Sequence, residues 1–573
     1  MHVWHFILAG AAVAWGAWHW RQHRRDDPDE GWLGWIAVAA SSAKLWLALG
    51  QPQHAVPVAP YDDRMFLRLA TFLLEGRWLG PYDQLTLAKG PFYPLFMAGA
   101  ALLRLPLTTA HNLVYILASW LFVRALRPLR LPAWTRAALL LALLACPALA
   151  DTGAFVRAWR QPLWPGLILL SLAGTTGLAV REEARARCQA AWALLAGAAI
   201  GAMWLTREEA VWTVPMLAGP LLVAAWRAFR ARRLGARIGW LALPALLAAA
   251  AVGAVAWQNH RVYGFGGIVE FRDPAFVEGY SALTRVEPHD LGRRIAITRA
   301  ARERIYVVSP AFASLRHEME EGIGAAFMKV TQDFTPIRAV EEREIGAGWV
   351  MWALRDAVAR TGQAQTAPAA RVFYRRLADE VNAACDDGRL PAWPRRHTML
   401  PPWHPSFPAK TWAAARAAIN LVVDYPFNVE PIPSWGSPED LAWVERITHE
   451  RVAPADPGQA AALRSPRRLA ILQSSVVGYR HAMRWLLPIA TVVWLGCVGL
   501  AFYRRAMSWL LVLSTALALG ILGNVAVVAL VEATSWPALN PGYLAASVPL
   551  AVCFVGVVFI DLVSTLRRVR PGR

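Results

Sequence analysis

Residues 189–233 read QAAWALLAGAAIGAMWLTREEAVWTVPMLAGPLLVAAWRAFRARR, two apolar runs parted by the polar TREE at 206–209 and closed by the basic RAFRARR at 227–233. Each run is long enough to enter a bilayer as a helix, and the charged residues fall where the chain must turn. The same alternation continues outward in both directions. Apolar stretches at 3–18, 32–50, 91–106, 110–123, 137–150, 162–180, 189–206, 210–226, 238–257, 484–501, 507–534 and 544–563 are separated by polar segments, mostly short. With 56% hydrophobic residues and a mean hydropathy of +0.32, the 573-residue chain reads as a polytopic membrane protein.

The formal charge of +19 sits in arginine clusters beside these stretches: WRQHRR before the second, RALRPLRLPAWTR at 124–136, REEARAR at 181–187, RAFRARR, YRR at 503–505 and RRVRPGR at the end. Such clusters mark cytoplasmic loops and not a nucleic-acid footprint. Residues 51–90, Asp151 to Gln161, the TREE and residues 258–483 then fall on the outer face, with the chain in a bacterial inner membrane. One stretch is in excess between the outer loop near Asp62 and the basic loop at 124–136. The segment from Lys89 to Pro106 is therefore read as re-entrant or interfacial, with a single crossing near 110–123.

The expected architecture is an all-α polytopic bundle of about 11 transmembrane helices, with a mainly α extracytoplasmic domain inserted before the last three spans. Its divisions are N-terminal spans at 1–50, a first external loop at 51–90, a membrane core at 91–257, the external domain at 258–483, and C-terminal spans with a basic tail at 484–573. The first eighteen residues lack a basic leader and a small-residue cleavage site, so they read as a retained helix. Of the five cysteines, four lie in or beside apolar stretches, and no disulfide framework or thiolate metal site follows from them.

Candidate chemistry concentrates in APYDDRMFLRLATFLLEGRWLGPYDQLTLAKGPFYPLFMAGA, residues 59–100. Asp62 and Asp63 open an amphipathic surface helix in which Met65, Phe66, Leu69, Phe72 and Leu73 recur at three- and four-residue spacing and which closes at Gly76. Two readings stand for the acids: a helix cap worth about 1 kcal/mol, or a general base that deprotonates or orients an acceptor hydroxyl. Lys89 is one of four lysines in the chain and stands where it re-enters the apolar layer, ahead of the irregular GPFYP. An ammonium there either snorkels or neutralises a lipid-linked phosphate. Asp151, Arg157, Arg160, Arg207, Glu208 and Glu209 also fall on the outer face, as ion pairs or as the lining of a wet cavity. His260, Arg261, Tyr263, Arg302 and Tyr306 are further candidates for substrate contact, while His397 and His404 have no third ligand at a zinc-like spacing. Walker, GxSxG and HExxH motifs are absent.

The YDD at Tyr61 to Asp63, the LATFLLEG at Leu69 to Gly76, the KGPFYPLF at Lys89 to Phe96 and the TREEAVW beginning at Thr206 together resemble the polytopic, lipid-phosphate-dependent glycosyltransferases of GT-C architecture, the broad group of protein mannosyltransferases and lipid A aminoarabinose transferases. The chain departs from that pattern in having KGP in place of two prolines, an additional helix before the acidic loop, and its large polar region ahead of the final spans. The resemblance implies an inverting transfer of a sugar from a polyprenyl phosphate or pyrophosphate to an envelope glycan, lipid or protein. It assigns Asp62 or Asp63 as the catalytic acid residue, with Lys89, Asp151, Arg157, Arg160, Arg207, Glu208 and Tyr61 binding substrate. A divalent cation, magnesium or manganese, has a place between carboxylate and phosphate, but nothing in the sequence requires one. The alternative is a secondary transporter or flippase for a lipid-linked glycan, with Lys44, Arg207, Glu208 and Glu209 as a central charged site.

Overall fold

The computed structural model describes residues 28–346, 348–463 and 465–569; the stretch read at 3–18 lies outside them. The described chain is built from helices, with three isolated β-bridges and no strand. Among the described residues six helices are long and apolar enough to cross a membrane: Ala186–Thr206, Glu208–Arg230, Leu234–Tyr263, Pro466–Arg504, Trp509–Thr534 and Pro541–Leu566. A seventh candidate is the pair Phe92–Leu102 and Leu107–Leu129, bent by 110° at its break.

The chain is thus a multi-pass helical membrane protein, but the expectation of about 11 spans is overturned by this count of six, or seven with the bent pair. Length supplies part of the reason. Ala133–Ala145 has 13 residues and Trp164–Ala179 has 16, so at 1.5 Å per residue they reach roughly 20 and 24 Å, short of a 30 Å hydrocarbon core. Every residue of Trp164–Ala179 is buried by its neighbours. It packs between Leu107–Ala125 and Ala186–Thr206, and the approach is close enough that a Cβ on Gly174 would lie 2.6 Å from the Ala196 Cα. Small residues at such crossings let backbones meet where lipid gives no hydrophobic drive.

The 110° bend separates a helix that starts just after Lys89 from one that runs toward the basic loop at 127–130. The turn between them is pinned from the 264–465 segment: Glu450 accepts from the Thr108 N–H at 2.8 Å and from its hydroxyl at 2.7 Å. The carboxylate takes backbone and side-chain donors that the opening of a helix otherwise leaves unpaired.

Lys44 takes no part in a central charged site. Its ammonium donates to the carbonyls of Leu144, Cys146 and Ala148 at 3.2–3.4 Å, closing the C-terminal end of Ala133–Ala145. A cation at that end satisfies orphan carbonyls and complements the helix dipole. Lys44→Met is expected to destabilise the detergent-solubilised protein by about 1–3 kcal/mol, the cost of leaving buried acceptors unmade. Thermal unfolding checks this, and no loss of stability there would free Lys44 for another role.

The long segment between Gly264 and Ser465 carries helices that include Pro274–Leu283, Trp349–Arg360, Ala367–Asp386 and Phe407–Val423. Leu234–Tyr263 enters it from the membrane core and Pro466–Arg504 leaves it. The proline-rich runs at 391–406 and 424–437 are irregular but ordered against the bundle, with Tyr425 and Phe427 buried.

Candidate active site

Helix Asp63–Leu74 begins beside Asp62, which makes no side-chain capping bond. The two acids point to different partners. Asp63 is fully buried and holds Arg157 through both oxygens, with Nε at 2.9 Å from each and Nη2 at 2.7 Å from Oδ2, while Oδ1 also accepts from the Val56 N–H at 3.3 Å. Burial pushes this carboxyl above its ordinary value, against the pull of the Arg157 guanidinium and its charge-assisted hydrogen bonds. Burial also acts against the charge on Arg157, but Asp63 and Asp62 together raise its affinity for the proton.

Asp62 faces an opening, with 40% of its side chain exposed, and its Oδ1 lies 2.5 Å from the Lys89 Nζ. Protein crowds it from farther out, and that burial would raise its carboxyl. The Lys89 charge and hydrogen bond, with Arg157 and Arg160 behind them, hold it below the ordinary value. Burial, reinforced by Arg160, lowers Lys89 against the pull of Asp62 and Glu208. Lys89 also donates to the Tyr61 carbonyl at 2.6 Å and lies 5.3 Å from the Phe66 ring centre and 5.8 Å from that of Trp352. Gly90 is needed beside it, because a Cβ there would strike the Leu205 carbonyl.

Arg160 links this pair to the outer end of helix Ala186–Thr206. It donates to the Thr206 carbonyl at 3.1 Å and to Glu208 at 3.2 Å, and its Nη2 is 3.8 Å from Glu209. Burial disfavours its charge, but Glu208, Glu209 and Asp62 outweigh that and raise it. Arg207 is 2% exposed and pairs with Glu209 at 2.5 Å. Its buried Nη1 has no hydrogen-bond partner among the described residues. Arg207 also lines a cavity of about 220 Å³ together with Glu209, Trp164, Trp212, Asn524, Trp536 and Tyr543.

Asp151 stands apart from this cluster in its contacts. Its Oδ1 accepts from the Ala154 N–H and its Oδ2 from the Asn428 N–H, each at 2.8 Å, which ties the loop to the irregular run at 424–437. Arg302 and Tyr306 are likewise engaged with Glu320, at 2.7 and 2.9 Å. Tyr263 donates to the Gly80 carbonyl at 2.7 Å. Among the described residues no three His, Cys, Asp or Glu side chains gather as a cation site.

Sequence reasoning missed Asp356. Tyr61 donates its hydroxyl to Asp356 Oδ2 at 2.6 Å, and its ring stacks between Trp352 and Phe327. Asp356 and Trp352 belong to helix Trp349–Arg360. Next to Asp356, Arg355 pairs with Glu270 and donates to the Thr86 carbonyl at 2.7 Å. The one available signal was the adjacent Arg and Asp on a helix otherwise rich in Trp, Ala and Val.

Burial pushes the Asp356 carboxyl from 3.8 to about 6, against the Tyr61 hydrogen bond and the charges of Arg355 and Arg360. Between those values the folded protein holds a proton that the unfolded chain has lost, so stability falls as pH rises through the window. The two-unit difference amounts to about 3 kcal/mol. Asp356→Asn is expected to flatten stability between pH 4 and pH 6, measured by unfolding at each pH; an unchanged profile would assign the slope to another group.

No protein-family profile matches the chain, and no curated protein matches it. Crystal structures of ArnT from Cupriavidus metallidurans are similar at 15% identity. The form bound to undecaprenyl phosphate aligns over 94% of this chain and 79% of its own with a TM-score of 0.31. The apo form aligns over 92% and 77% with a TM-score of 0.30. Likeness this distant carries no argument about chemistry, which rests on the residues described above.

Proposed function

We propose that the chain is an inverting glycosyltransferase that moves a sugar from a polyprenyl phosphate or pyrophosphate to an acceptor on the outer face of a bacterial inner membrane. The observation that carries this reading is the Asp62–Lys89 pair: an accessible carboxylate and a nearly buried ammonium, 2.5 Å apart, where the chain re-enters the bundle. A lipid-linked donor brings a phosphate that competes with Asp62 for Lys89 and releases the carboxylate toward the acceptor.

The acceptor hydroxyl attacks the anomeric carbon as its proton passes to Asp62. The new carbon–oxygen bond forms on one face while the bond to the phosphate oxygen breaks on the other, and its electron pair leaves with the phosphate. Lys89 stabilises that growing charge, with Arg160 nearby and the free Arg207 Nη1 at the adjacent cavity. Asp63 and Arg157 hold the start of the helix in register. Tyr61 contributes its carbonyl to Lys89 and its hydroxyl to Asp356.

Transfer from a radiolabelled pool of extracted lipid-linked sugars by purified protein tests the proposal. The parent protein transfers label and releases the polyprenyl phosphate or pyrophosphate of its donor in equal amounts. A well-folded parent that transfers from no donor in the pool would sink it.

A further inference from the structure

A second cavity, of about 450 Å³, has walls that include Trp204, Glu208, His260, Phe265, Asp273 and Arg371. Its size falls within the range of sites for small ligands. Glu208 lines this cavity and its neighbour Glu209 the smaller one. Arg160 reaches both carboxylates, at 3.2 Å and 3.8 Å.

The two linings differ in chemistry. The smaller cavity sets the Arg207–Glu209 pair among aromatic and valine side chains. In the larger, Glu208 and Asp273 oppose Arg272 and Arg371, with Arg371 bound to Asp273 at 2.7 Å. Acids and bases balance there, so the site does not select an anion, and its polarity disfavours an acyl chain. Carboxylates that accept, guanidinium groups that donate and the flat faces of Trp204 and Phe265 suit a neutral polyhydroxyl ring.

The cavity wall is also mechanically joined to Lys89. Asn259 donates to the Gly267 carbonyl at 2.7 Å and accepts from the Trp78 indole at 2.9 Å. The Glu270 N–H donates to the Leu87 carbonyl at 2.9 Å, two residues before Lys89.

We infer that this cavity takes a sugar residue of the acceptor, so that the acceptor is a carbohydrate or carries one. The inference rests on the proposed transfer reaction, and Glu208 in the cavity lining is bound to Arg160, which stands near both Asp62 and Lys89.

The test uses the full chain in lipid nanodiscs, with methyl α-glucoside, methyl α-galactoside, methyl α-mannoside and inorganic phosphate as probes. Saturation-transfer NMR reaches the ring protons of at least one glycoside, the signal drops several-fold in Trp204→Ala and in His260→Ala, and phosphate displaces none of it. In transfer assays the same variants raise KM for the acceptor more than they lower kcat. Absence of signal from every glycoside, equal signal in both variants, or displacement by phosphate overturns the inference. Glycoside binding without transfer by the parent overturns the acceptor role and the reaction together. Transfer by the parent without glycoside binding overturns the role of this cavity alone.

Discussion

Asp62→Asn is expected to lower sugar transfer by about 100-fold or more, the range in which removal of a positioned general base falls, with the protein still folded. The amide oxygen can still accept from Lys89, so the geometry at 2.5 Å survives while the proton acceptor is lost. The effect therefore appears in kcat more than in KM for the donor. Lys89→Ala acts on the other half of the site: it removes the ammonium beside the leaving phosphate and costs about 100- to 1000-fold in kcat, the scale of a lost electrostatic stabiliser. In the unliganded protein Lys89, with Arg157 and Arg160 behind it, holds the Asp62 carboxyl below the ordinary carboxylate range. Transfer at the parental rate by Asp62→Asn would move the base elsewhere, with Asp356 the next carboxylate to examine.

The acidic loop was legible because its information is local. Asp62 and Lys89 are 27 residues apart, joined by a helix whose apolar period is plain and by a lysine stranded at the bundle edge. Asp356 was not legible, since it reaches Tyr61 across 295 residues and no local pattern announces the partner. The span count failed for a different reason. Burial inside a protein bundle and burial in lipid select the same side chains, so Trp164–Ala179, enclosed by other helices along its whole length, has the composition of a crossing without the length of one. Asp151 illustrates a third limit: an acid at the outer edge of an apolar stretch satisfies a substrate site or two backbone N–H groups equally well on paper, and here its contacts are the two N–H groups.

Asp63→Ala should fail in stability before it fails in chemistry. The substitution leaves Arg157 charged in a nearly buried position, with its ring contact to Trp159 at 4.2 Å but no carboxylate within the bidentate geometry. Breaking a buried pair from one side typically costs about 3–5 kcal/mol, because the remaining charge is desolvated without compensation. Asp63→Leu combined with Arg157→Met removes both charges and is expected to recover most of that loss. Unfolding of the single and double variants in the same detergent, set beside their transfer rates, separates the two acids. If the double variant regains stability and keeps substantial transfer, Asp63 is a positioning residue and Asp62 carries the proton. If Asp63→Ala keeps parental stability yet loses transfer as fully as Asp62→Asn, the buried acid belongs to the chemistry, and the division of labour drawn from its contacts with Arg157 falls.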